Sequence, residues 1–111
     1  MADQFSIRNL KERIRKKNHR LIASHADPSN ADRALWGSLA VVTFASVTGQ
    51  GEDVEVDPET VLGDLLAGLM HWCDLQKTST DVQESISFES AMRRAQNHHR
   101  EEREEAAEAA L

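Results

Sequence analysis

The chain has 111 residues and a formal net charge of −6, with 40% hydrophobic, 29% charged and only 5% aromatic residues. That length suits one domain with a real core, and the few aromatics, with no Tyr, argue against a β-sandwich or barrel and for an all-α fold. One cysteine, Cys73, excludes an internal disulfide and reads as a buried small hydrophobe; without an apolar run of about 18 residues or a leader, the sequence is expected to be cytoplasmic.

The charge is uneven. Residues 1–25 hold seven Lys/Arg (Arg8, Lys11, Arg13, Arg15, Lys16, Lys17, Arg20) against Asp3 and Glu12, a balance of +5 that leaves −11 for the remainder. Within this stretch Ile7, Leu10, Ile14 and Leu21 recur at three- and four-residue steps, with Lys17 at the remaining heptad position, so a basic amphipathic helix is predicted over residues 4–24. Its stripe is too narrow to order an isolated helix. The expectation is an arm, mobile or swapped, that docks on the body, on a second subunit or on a ligand.

Ser29 and Asp32 form a capping box with Asp in the usual Glu position, opening a second helix that Gly49 stops. Leu35, Trp36, Leu39, Val42, Phe44 and Val47 cover more than half its circumference, which predicts a buried central helix. Residues 49–55 read as a polar loop, and the alternation through Val54 and Val56 as extended chain. Asp57-Pro58 is a strong start signal, Asp57 capping free amides and Pro58 sitting where no donor is needed. The third predicted helix, ending near Gln76, carries the widest apolar face: Val61, Leu62, Leu65, Leu66, Leu69, Met70, Trp72 and Cys73. A polar stretch follows over residues 77–87, in which Thr80 and Gln83 suit a short capped turn. Ser87 caps a fourth helix lined by Phe88, Ala91, Met92 and Ala95, which continues into an acidic Ala/Glu tail.

These elements predict an all-α, four-helix domain: a basic helical arm (1–25), a helical core (26–104) and a tail (105–111). The second and third helices lie at its centre, and the fourth packs antiparallel on the third. At about 1.5 Å per residue, such a hairpin sets Asp64 level with His98 and His99, while His71 and Asp74 stay on their own helix nearer the turn. Asp64, His71, Asp74, His98 and His99 are thus expected as interaction or core-edge polar contacts. A metal centre would draw on Asp64, His98 and His99, with Glu102 one turn on, but the Glu-x-x-His units of bundle metal sites are missing. Paired Glu-x-x-Glu units of helical pyrophosphohydrolases are missing too, and no Ser or Cys sits in a nucleophile elbow. No cofactor and no enzymatic activity are therefore expected.

The run Asp64-Leu-Leu-Ala-Gly-Leu-Met-His-Trp-Cys-Asp74, followed by Phe88-Glu-Ser-Ala-Met-Arg-Arg-Ala-Gln-Asn-His98-His99, resembles a family of uncharacterised small helical proteins encoded on bacterial plasmids and phages. Gly68 stands where that pattern has an acidic residue, and His99 where an aromatic follows the histidine. The resemblance covers residues 58–104 and implies a mobile-element origin with no established activity. The function expected is non-enzymatic: a protein-interaction module, plausible as a homodimer, that binds a host or element protein, with inhibition of a host defence system as one specific form. The first alternative is a nucleic-acid-binding accessory protein using Arg13, Arg15, Lys16, Lys17 and Arg20, whose binding would be salt-dependent. The second is a metal-dependent enzyme or metal sensor using Asp64 and His98 or His99. No membrane partner is expected.

Overall fold

The computed structural model describes residues 7–24, 27–79 and 86–111, with side chains over 9–20, 27–76 and 86–111. Helices account for nearly all of these: α1 (Ile7–Ser24), α2 (Asn30–Val47), α3 (Asp53–Val56), α4 (Pro58–Ser79) and α5 (Phe88–Ala109). The all-α class holds, with five described helices in place of four. Two compact units divide the chain, Met1–Leu62 and Gly63–Leu111.

In the first unit, α1 packs on α2. Leu10 and Ile14 of α1 enclose Leu35 of α2, and Leu39 and Val42 close the cluster from the α2 side. Each set follows from helical spacing: Leu10 and Ile14 are four residues apart, while Leu35, Leu39 and Val42 advance by four and three. The basic helix is thus not a free arm, because its narrow stripe is matched by an equally narrow one on α2. Two polar contacts flank the cluster. Lys17 Nζ donates to Asp32 Oδ1 at 3.2 Å, and the Trp36 indole N–H donates to Asn18 Oδ1 at 3.2 Å.

The capping box forms as its residues suggest. Ser29 Oγ accepts from the Asp32 N–H at 3.1 Å while Asp32 Oδ2 accepts from the Ser29 N–H at 2.9 Å. Asp32 therefore caps α2 with one oxygen and holds α1 with the other. At the far end Gly49 takes φ +77°, and the Gln50 N–H reaches back to the Ala45 carbonyl at 2.7 Å. This six-to-one bond is the Schellman closure that a left-handed residue after the last turn makes available.

The expected central helix is a correction. Only Asp32, Leu35 and Ala45 of α2 are buried, whereas Val47 is 81% exposed, because α1 and the single turn of α3 can cover only part of a cylinder. A second correction concerns residues 53–56, where the alternating pattern suggested extended chain. They form one helical turn, α3, which packs on α2. Asp53 and Glu55 favour the positive end of a helix, and the Asp57 N–H closes the turn on the Asp53 carbonyl at 2.7 Å.

α4 starts where Asp57-Pro58 predicts. The Asp57 carboxylate accepts from the Thr60 N–H at 3.3 Å and from the Thr60 hydroxyl at 2.7 Å. The helix runs three residues beyond the expected end, to Ser79; the expected caps Thr80 and Gln83 lie outside the described residues. Ser87 caps α5, its Oγ accepting from the Ser90 N–H at 3.2 Å, and the helix continues through the Ala/Glu tail to Ala109. Along the described residues, α4 and α5 share no packed interface comparable to that of α1 and α2. The expected antiparallel hairpin of tightly packed helices is therefore not formed. No residue of α5 is buried, since small Ala side chains and charges leave its stripe with little area to exchange for water exclusion.

Candidate functional site

The polar residues singled out by the sequence lie at the surface. Asp64, His71, Asp74, His98 and His99 are all exposed. The register that would set Asp64 beside the two histidines requires a packed hairpin, and α4 and α5 do not provide one. Among the described residues no group of three or more His, Cys, Asp or Glu could hold a metal ion. Cys73, by contrast, is buried as expected, at 5% exposure.

The cations of α1 divide into two sets. Arg15 is tied to Glu12 at 3.0 Å, which holds that carboxyl below its usual range by a direct hydrogen bond and by charge. Lys17 is tied to Asp32 across the helix pair. Asp32 is itself lowered, first by the hydrogen bond from the Ser29 backbone and less by Lys17, against the opposing effect of burial. Arg13, Lys16 and Arg20 are exposed, and steps of three and four residues align them along the flank of α1 away from Leu10 and Ile14. Of the five cations proposed for phosphate contact, two are thus committed within the chain.

The feature that the sequence reading missed lies on α4. Its apolar residues were assigned to a core, yet Leu62 is 45% exposed, Leu69 41%, Met70 46%, Trp72 50% and Leu75 65%. Val61 and Cys73 are buried, and Leu65 and Leu66 half-buried, among the described side chains of the helix. At about 100° per residue, Leu62, Leu69 and Trp72 lie within about 80° of one another, while Met70 and Leu75 lie roughly 110° to either side of them. Leu75 lies about 20° around the helix from Asp64 and Met70 about 40° from Asp74, so acidic residues border the exposed apolar side chains, and the buried Cys73 lies only about 40° from Leu69. A signal for this was present in the sequence. The broad stripe of α4 had only Phe88, Met92 and two alanines of α5 set against it, too little to cover it.

Area puts a scale on the surface. At about 200 Å² for a fully accessible large apolar residue, Leu62, Leu69 and Trp72 together expose about 270 Å², no more than the largest apolar patch on an ordinary monomer. Such a surface has no chemistry for bond making. It can exclude water against a complementary apolar surface, and the aromatic Trp72 within it is the residue type that dominates such contacts. No helix among the described residues is long and apolar enough to cross a membrane.

No protein-family model matches this chain, and no curated protein or solved structure is significantly similar to it.

Proposed function

We propose that this chain is a non-enzymatic protein-interaction module that binds through the apolar face of α4, and that it serves as a small accessory protein of a mobile genetic element. The observation that carries the interaction reading is the exposure of Leu62, Leu69 and Trp72 on one side of α4. Helix-in-groove recognition uses anchors at such spacing, each side chain entering a pocket on the partner. The mobile-element setting is supported by the likeness of residues 58–104 to plasmid- and phage-encoded proteins.

The test compares the native chain with a Leu69→Asp/Trp72→Ser variant. Each is used as bait in a host extract, and any captured protein is purified and its binding reconstituted in a calorimeter. Apolar burial gives a negative heat-capacity change on binding, and the double substitution abolishes binding. A partner that binds both forms with equal affinity would refute the assignment of the surface.

A further inference from the structure

We propose that the exposed cation row of α1, formed by Arg13, Lys16 and Arg20, binds the phosphate backbone of duplex DNA without regard to sequence. This goes beyond the reading above and does not depend on α4. Helical geometry isolates the row. At about 100° per residue the three lie within about 60° of one another, beside the packed stripe of Leu10 and Ile14 and not in it. All three are exposed, and among the described residues none of them is in an ion pair. Two ion pairs bound the row and cancel the neighbouring charge: Lys17 with Asp32 on the side of α2, and Arg15 with Glu12 on the other. α1 carries seven Lys/Arg and one carboxylate, Glu12. With Glu12 tied to Arg15, no acid of this helix is left to oppose the row.

Spacing and composition choose the partner. At about 1.5 Å per residue, Arg13, Lys16 and Arg20 follow one another by about 4.5 and 6 Å, a step that the long side chains can match to a strand carrying one charge per about 3.4 Å of axis. The two guanidinium groups can each fork onto two phosphate oxygens, and Lys16 supplies a point charge. The row contains no apolar side chain, Asn9 being the other described residue of the same arc. A protein partner needs an apolar centre to desolvate, and exposed ion pairs with it add little. A polyanion needs none, because each neutralised phosphate frees condensed counterions, and that gain supplies essentially all of non-specific DNA binding. The net charge of −6 opposes this only through carboxylates close to the row, since charges beyond about 10 Å are screened at about 0.1 M salt.

Fluorescence anisotropy of a short labelled DNA duplex titrated with the full chain tests this. Three phosphate contacts give a slope of about −2.7 in log affinity against log salt, a loss of about 40-fold between about 50 and 200 mM KCl. Arg13→Glu/Lys16→Glu/Arg20→Glu weakens binding at about 50 mM KCl by at least about 100-fold, and the neutral Arg13→Gln/Lys16→Gln/Arg20→Gln flattens the salt slope toward zero. Circular dichroism checks that both variants remain helical. Arg93→Glu/Arg94→Glu/Arg103→Glu, at exposed positions of α5, changes the net charge as much as the first variant and leaves the affinity within about twofold. No binding at the lower salt overturns the inference, as does a loss that the α5 variant matches, since net charge alone would then account for it. Polyglutamate that displaces the duplex as well as unlabelled DNA does assigns the row to an acidic protein and also overturns it. Leu69→Asp/Trp72→Ser leaves DNA binding unchanged; a loss there would move the contact to α4 and refute the assignment to α1.

Discussion

Replacing Leu10 with Ala removes the side chain on which the docking of α1 depends. Leu10 is 2% exposed, the most enclosed leucine of the α1–α2 cluster. The substitution deletes three carbons, a transfer loss of about 2.4 kcal/mol at about 0.8 kcal/mol per methylene. A rigid surrounding would add a cavity term and bring the total toward about 5 kcal/mol. Here Leu39 and Val42 are only half-buried, so the site can collapse or admit water, and a loss of about 2–3 kcal/mol is expected. A unit of the size of Met1–Leu62 has about 3–9 kcal/mol of stability in total, so α1 should detach in a large fraction of molecules under mild urea. The assay is urea unfolding followed by tryptophan fluorescence in a Trp72→Phe background, which leaves Trp36, hydrogen-bonded to Asn18 of α1, as the reporter. A change in stability below about 0.5 kcal/mol, the range of inert surface substitutions, would refute the docking argument and restore α1 as a free arm.

Ser29→Ala removes the acceptor for the Asp32 amide and should cost about 1 kcal/mol, read as a lower midpoint in the same urea titration. Because the Asp32 carboxyl is lowered from its ordinary value of 3.8 in the folded chain, its contribution is fully present above that value. It is lost as pH falls below 3.8 toward the folded-state value, and Asp32→Asn should flatten this acid limb of a stability-versus-pH curve. Gly49 sits at φ +77°, so Gly49→Ala should destabilise by about 1–2 kcal/mol. Gly37→Ala lies within α2 with nothing within 4 Å of the added carbon and should stabilise by up to about 1 kcal/mol; thermal melts of the two variants should therefore shift in opposite directions.

The reading of the candidate site divides along the same line as these energies. Burial of Cys73 was legible because it sits amid the richest apolar run of the chain. The assembly of Asp64 with His98 and His99 was not, since it presumed that two helices adjacent in sequence would pack along each other. The exposure of Trp72 and Leu69 was not legible, because an apolar helical stripe looks the same whether its cover is within the chain or outside it.

The starts of α2, α4 and α5 and the end of α2 were determined by the sequence alone. Ser29 with Asp32, Asp57 with Pro58, and Ser87 each satisfy free amides of the first turn within three residues, and Gly49 supplies the left-handed residue that closes α2. These are hydrogen bonds and backbone preferences set by near neighbours, so no distant part of the chain is needed to specify them. Tertiary structure alone decided which side chains are covered: that α1 clasps α2 through Leu10, Ile14 and Leu35, and that Leu69 and Trp72 of α4 stay exposed while Cys73 beside them is buried. The hydrophobic effect is non-directional. It requires that apolar surface be covered and leaves to the path of the chain, or to another molecule, what covers it.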